Sequence, residues 1–364
     1  MTTATTTPDT TRTLRLYAID NLRIVLTVLV VAHHVAVTYG TIPVWYYLEP
    51  ARDSTGGLLD LLVVVNQAFF MGFFFLISGY FTPGSHARKG GRGFVRDRLI
   101  RLGIPLLVFL LLLRPIVTAG VYADLDGLPY WQFYLLSWDP GPMWFAEVLI
   151  VFALLYAAWR ARRPLPERRD LPLRARQIVL FALGLAAVTA VWRIWVPAGS
   201  YVPVLGLPSP HFLPQYAAMF AAGCVAWRRG WYTSLPARAG RIGLIAAAVS
   251  TATVLPASLM TTGMVSTALT ALWETAFAIS MIIGLTVLFR ERFNTQGPRG
   301  RFLAQHAFTV YIVHPLVLVG LGYALRPLEA IAIVKFAIML VLALPLCWGL
   351  AYLVRSLPGA KRVL

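Results

Sequence analysis

Charge is what this chain most lacks. Only 13% of its 364 residues are charged and 58% are hydrophobic, whereas a soluble chain carries about a quarter charged residues. That excludes an ordinary soluble domain and points to an integral membrane protein embedded in a lipid bilayer. Cysteine is nearly absent as well. Cys224 and Cys347 are the two in the chain and both fall in apolar runs, so neither a disulfide framework nor a cysteine metal site is indicated, and no metal is expected. No soluble domain, long linker or internal repeat is evident, so the chemistry must sit within the membrane bundle or at its faces. The first residues, MTTATTTPDTTRTLR, lack the order of a cleaved signal peptide. They are polar and proline-broken, and read as a disordered cytoplasmic tail over 1–15. Residues 16–364 are then expected to form a single membrane domain.

What is present is a series of apolar runs. A membrane span needs about 20 mostly apolar residues. Ten runs qualify, at about 19–39, 60–81, 99–119, 142–159, 177–196, 210–227, 242–261, 266–289, 304–324 and 328–354, which predicts an all-α polytopic fold of about ten helices. The net charge of +17 is explained by where the arginines lie. They crowd the segments after the second, fourth, sixth and eighth runs and are sparse between, with Arg52 and Arg326 as exceptions. By the positive-inside rule both termini are cytoplasmic, the expected location is the cell (inner) membrane, and nucleic acid is set aside as a partner. A homo-oligomer is compatible with this picture.

The polar residues left inside the runs are the candidates for function, because ionisable groups in a bilayer are costly. In LRIVLTVLVVAHHVAVTYG, Arg23 and His34 are eleven residues apart. That offset leaves them about 20° from alignment and about 16 Å apart along a helix, on one face, with His33 turned away by about 100°. Arg23 could equally snorkel to headgroups, and the histidines could be bonded core polars. Glu147, Glu274, Gln67 and His211 fall at similar depth in the outer half of their runs, with Trp144 beside Glu147, and together they suggest a polar cavity. A lone glutamate could instead be a protonated packing group. In TVYIVHPLVL, His314 precedes Pro315, so a proline kink with a histidine bonded to the loosened backbone is the plainer account. Arg98 and Arg101 are three apart at the start of the third run, where paired guanidiniums suit phosphate. They could also be ordinary positive-inside decoration.

Five stretches taken together resemble the acyltransferase-3 family of membrane acyltransferases. They are Arg23 and His34 with ten residues between, FFFLISGYF, the Arg98-Leu-Ile-Arg101-Leu-Gly-Ile-Pro105 entry, PMWFAEVLIVF and HAFTVYIVHPL, in that order over roughly residues 17–325. The LRI…HH…YG opening and the GYFTPG turn are similar to the branch that includes the glucan biosynthesis succinyltransferases. The resemblance implies transfer of an acyl group, acetyl or succinyl, from cytoplasmic acyl-CoA to a hydroxyl of a glycan, lipid-linked sugar or other acceptor at or across the membrane. It assigns the family's essential histidine to His34, its paired arginine to Arg23, and the inner arginine pair to Arg98 and Arg101. A neutral histidine can take the proton of the attacking hydroxyl, and Glu147 could orient it. Direct transfer and a covalent acyl-histidine both stay open. Arg193 is a candidate cation for a succinyl carboxylate. The competing class is a proton-coupled transporter, which would also use intramembrane His and Glu on proline-broken helices.

Overall fold

The computed structural model describes residues 16–123, 125, 127–164, 167–202 and 206–364; the tail over 1–15 lies outside them. Its regular structure is helical, apart from one isolated bridge between Val202 and Leu207. Helix α1 spans Tyr17–Tyr39 and α2 spans Gly56–Arg98. Two short helices, α3 (Ile104–Val108) and α4 (Arg114–Ala123), continue from α2 through π-helical turns at Leu99–Gly103 and Phe109–Leu113. Then come α5 (Tyr130–Leu136), α6 (Trp144–Arg162), α7 (Ala175–Trp195), α8 (Leu213–Arg228) and the short α9 (Trp231–Ser234). The chain ends with α10 (Ala237–Leu259), α11 (Gly263–Arg292), α12 (Pro298–Leu325), α13 (Ala332–Ser356) and α14 (Ala360–Val363).

Among the described residues, eight helical runs are long and apolar enough to cross a membrane. Two expected runs differ from the sequence reading. Those at 60–81 and 99–119 fall in one mainly helical run, Gly56–Ala123, 68 residues long, that is broken at Gly90. The arginine-rich stretch between them, expected as a loop, is helical. Asp97 pairs with Arg101 one turn on at 3.2 Å, which supports the helix beyond the break, and with Lys89 across it at 2.7 Å. Gly90 breaks the helical dihedrals there, at φ 68. The run at 210–227 appears as the 16-residue α8 behind a 3-10 turn at Pro210–Phe212. The apolar stretch around 255–270 divides at Met260–Thr262, and Gly263 opens α11 with φ +62, a conformation that costs glycine little.

Helix α1 lies at the centre, with Leu22, Leu26, Val31, Val35 and Ala36 at most 2% exposed. It packs against α2, α11, α12 and α13. The closest crossing is α2 on α8. A Cβ placed on Gly79 would stand 2.1 Å from the Phe220 carbonyl oxygen, and one on Gly223 would stand 2.1 Å from that of Leu76. Small residues let membrane helices approach to backbone contact, and dispersion then holds them. The glycine of FFFLISGYF is therefore a packing residue.

Overpacking that crossing costs about 1–3 kcal/mol, so Gly79→Val and Gly223→Val should each lower the melting temperature of the purified protein. Gly349→Ala, where an added Cβ meets open space, should leave it unchanged or raise it slightly.

Candidate active site

Two imidazoles from helices far apart in sequence meet in the core. The His34 ring of α1 and the His314 ring of α12 have centroids 4.9 Å apart. His34 Nδ1 lies 2.9 Å from the carbonyl of Val30, one turn back. A carbonyl can only accept, so Nδ1 carries the proton, and in the neutral ring Nε2 keeps its lone pair. His314 follows the same logic by a different route. Pro315 has no N–H, which leaves the Tyr311 carbonyl without its helical donor. His314 Nδ1 donates to that carbonyl at 2.7 Å. The proline-kink account of His314 is thus correct for Nδ1. It leaves Nε2 buried and without a hydrogen-bond partner. His33 is buried on the other side of α1, stacked on Phe70 at 5.1 Å.

The loop at 41–55 covers the pair. Trp45 stacks on His34 at 4.1 Å and lies 5.9 Å from His314. The loop is anchored at both ends and in the middle. Thr41 N–H donates to Asp60 at 2.8 Å, Tyr46 donates to Asp139 at 3.1 Å, and Glu49 pairs with the buried Lys335 of α13. Asp53 accepts from Ala332 N–H and Thr55 accepts from Ile333 N–H, capping α13. The Thr55 hydroxyl, with the N–H groups of Ala332 and Thr55, holds the Asp53 carboxyl below its ordinary range.

Beneath the histidines a cavity of about 460 Å³ opens at the arginine-rich end of the bundle. Arg23, Arg98, Arg101 and Arg355 line its mouth, and Val30, Phe145 and Tyr311 line its depth. The residues whose carbonyls hold the two imidazoles are therefore also its inner wall. Arg23 and His34 lie along one helix face as the spacing predicts, with Arg23 3.8 Å from Asp20. Arg98 and Arg101 sit at the π-helical entry, where regular helical spacing does not apply, yet both reach this one cavity. Arg98 lies over the Phe94 ring at 5.2 Å, and its Nε is buried without a partner.

The remaining candidates gather elsewhere. Gln67 donates to Tyr216 at 3.0 Å and to Ser209 at 3.3 Å, and Trp144 stacks on Tyr216 at 5.4 Å. Glu274 pairs with Arg193 at 2.5 Å, with the two side chains 10% and 2% exposed. Arg193, considered above as a free cation, is neutralised there, and its guanidinium also covers Phe212 beside His211. Among the described residues, no hydrogen bond or ion pair joins Glu147 to either imidazole. It sits in the first turn of α6, with Asp139 and Tyr311 as electrostatic neighbours. The carbonyl of Val30, not a carboxylate, orients His34. Sequence reasoning missed Trp45, Tyr311, Arg355 and Arg114. Arg114 is fully buried and donates to the carbonyls of Asp139, Tyr134 and Ser137. A charge inside the apolar run LLLRPIV was its signal. Trp45 had none, because only the fold brings its loop over α1.

Comparisons with known proteins agree with the geometry. The family model described as Acyltransferase domain matches residues 16–352. Relatives named "Glucans biosynthesis protein C" include one from Escherichia coli O139:H28 (strain E24377A / ETEC), 25% identical over 330 residues that cover 84% of this chain and 82% of its own. Another, from Salmonella schwarzengrund (strain CVM19633), is 24% identical over 335 residues, covering 84% and 83%. No solved structure matches the chain.

Two variants test the site's construction. Removing one partner of a buried ion pair costs about 3–5 kcal/mol, so Arg193→Leu should sharply lower thermal stability, and Arg193→Leu with Glu274→Leu should recover most of the loss. Pro315→Ala returns an N–H to the Tyr311 carbonyl, which then competes for the bond that sets the His314 tautomer. It should slow turnover while leaving the melting temperature near that of the unaltered protein.

Proposed function

Because the chain belongs to the Acyltransferase domain family and is an acyltransferase of the membrane, we propose that it moves an acyl group from acyl-CoA to a sugar hydroxyl by direct transfer, with His34 as the base. The observation that carries this reading is the cavity lined by four arginines and by Val30 and Tyr311, the residues whose carbonyls hold two facing imidazoles. CoA phosphates seat on Arg23, Arg98, Arg101 and Arg355 through charge-assisted hydrogen bonds, and the unpartnered Nε of Arg98 is one free donor for them. The thin pantetheine arm follows the cavity toward Val30 and Tyr311. The family match sets the carrier alternative aside.

The step balances within this site. The acceptor oxygen attacks the thioester carbonyl carbon while His34 Nε2 takes the hydroxyl proton. The carbon–sulfur bond then breaks, and the imidazolium returns the proton to the departing thiolate. His314 Nε2, with its lone pair buried beside His34, stabilises the imidazolium, the part Glu147 was expected to play. Glu147 instead serves the acceptor side with Asp139 and Tyr311. Gln67, Trp144 and His211 line the approach there.

The relatives' name, glucans biosynthesis, supports a glycan or lipid-linked sugar as acceptor. Between acetyl and succinyl, the Arg193–Glu274 pair favours acetyl, since the cation a succinyl carboxylate would use is already occupied. The topology we propose has ten crossings in the cell (inner) membrane, with both termini cytoplasmic and a single domain from residue 16. The 68-residue run is broken at Gly90, and each part is long enough for a hydrocarbon core of about 30 Å at about 1.5 Å per residue, so it crosses twice. Arginines flank α8 at Arg228 and Arg229, which suits a short crossing.

General base catalysis contributes about 10²–10⁴-fold, so His34→Ala should reduce transfer from radiolabelled acyl-CoA by that factor; full retention of transfer would sink the reading. Arg98→Ala should raise KM for acyl-CoA about tenfold or more with kcat nearly held, as loss of a charged hydrogen bond at a remote binding group predicts.

A further inference from the structure

A second basic site lies apart from the acyl-CoA cavity. Arg160, near the end of α6, is 8% exposed, and its Nε and Nη2 are buried with no hydrogen-bond partner. It lines a separate cavity of about 350 Å³ together with Arg228, from the last turn of α8. Among the described residues, no carboxylate pairs with either guanidinium. The rest of the wall is hydrocarbon and aromatic, chiefly Phe152, Leu155, Trp159, Phe220 and Val225. Trp159 lies under the Arg160 guanidinium at 4.8 Å.

A buried guanidinium left unpaired is strongly unfavourable, so this site calls for an anion. The anion must bring apolar matter with it, because the cavity beneath the charges has no polar use. Basic pockets between membrane helices at the arginine-rich face suit anionic headgroups. We propose that Arg160 and Arg228 bind the phosphate of an anionic phospholipid whose acyl chain fills the crevice between α2, α6 and α8. Proteins use such sites to hold helices in register, and here the bound lipid would brace α8 against the Gly79–Gly223 crossing.

The chain carries its own reporter. Cys224 lines this cavity and is partly accessible, whereas Cys347 is fully buried. The full-length protein is reconstituted in nanodiscs of phosphatidylcholine alone, or of phosphatidylcholine with phosphatidylglycerol. Modification of Cys224 by uncharged N-ethylmaleimide is then followed by mass spectrometry. Phosphatidylglycerol should slow labelling severalfold, and the Arg160→Gln, Arg228→Gln double variant should lose that difference. Inorganic phosphate added to phosphatidylcholine discs should give no protection. Equal rates in the two lipids would overturn the proposal. So would a difference that persists in the double variant, which would mark a general surface effect, or equal protection by phosphate, which would mark a free-anion site. Should the variant fail to fold, native mass spectrometry of the unaltered protein decides: retention of phosphatidylglycerol over phosphatidylcholine is expected, and no retention refutes it.

Discussion

Two backbone carbonyls fix the orientation of the histidine pair on which the proposed chemistry depends. Those of Val30 and Tyr311 each accept from the Nδ1–H of a histidine one turn away, and so decide which ring nitrogen keeps a lone pair. Helical carbonyls are normally consumed by the backbone ladder. At Tyr311 the ladder is opened by Pro315, a substitution membrane helices tolerate when a side chain satisfies the freed group. At Val30 the histidine shares the carbonyl with the helix. In both cases a local bond acts at a distance, because it aims the opposite face of the ring at a neighbour from another helix. The result is two imidazoles side by side, each of which, when neutral, has its Nε2 available as an acceptor.

The rest of the polar interior keeps that pair dry and still. Inward charges are neutralised or tied to carbonyls: Arg193 by Glu274, Lys335 by Glu49, and Arg114 by the carbonyls of the 134–139 segment. Arg193 ties α7 to α11, Lys335 ties α13 to the 41–55 loop, and Arg114 ties α4 to the 134–139 segment. A low-dielectric interior makes such satisfied networks rigid and unsatisfied ones costly. Against that background, the two guanidiniums with buried, unpartnered nitrogens at the arginine-rich end, Arg98 and Arg160, stand out as anion sites. Arg98 opens on the cavity leading to His34, and Arg160 opens on a hydrocarbon-lined crevice.

Much of the site was legible in order along the chain. The eleven-residue offset of Arg23 and His34 placed them on one face because helical periodicity alone determines it. The Arg98, Arg101 pair and the HP dipeptide at 314–315 were visible as residues out of place in apolar surroundings. What could not be read was the partner of each. Glu147 looked like the orienting carboxylate because it lies at a suitable depth, yet depth says nothing about azimuth, and a carbonyl holds His34 instead. Arg193 looked free because Glu274, 81 residues away, had no mark tying it to that helix. Trp45 was a loop residue with no pattern at all. The helix that leads from Gly91 into α3 escaped because composition marks polar stretches as loops, while the Asp97–Arg101 pair one turn apart supports a helix there.

By itself the sequence determined that the chain is a membrane protein, which segments are apolar enough to be helices, which end of the bundle is basic, and that His34 lies above Arg23. Each of these depends on local periodicity or on transfer of side chains to hydrocarbon, and both are properties of short stretches. Only the tertiary structure decided that His314 faces His34, that Trp45 covers them, that Glu274 neutralises Arg193, and that Val30 and Tyr311 line the arginine cavity. Those are contacts between segments far apart in the chain, set by how whole helices pack against one another, and no local pattern encodes that packing.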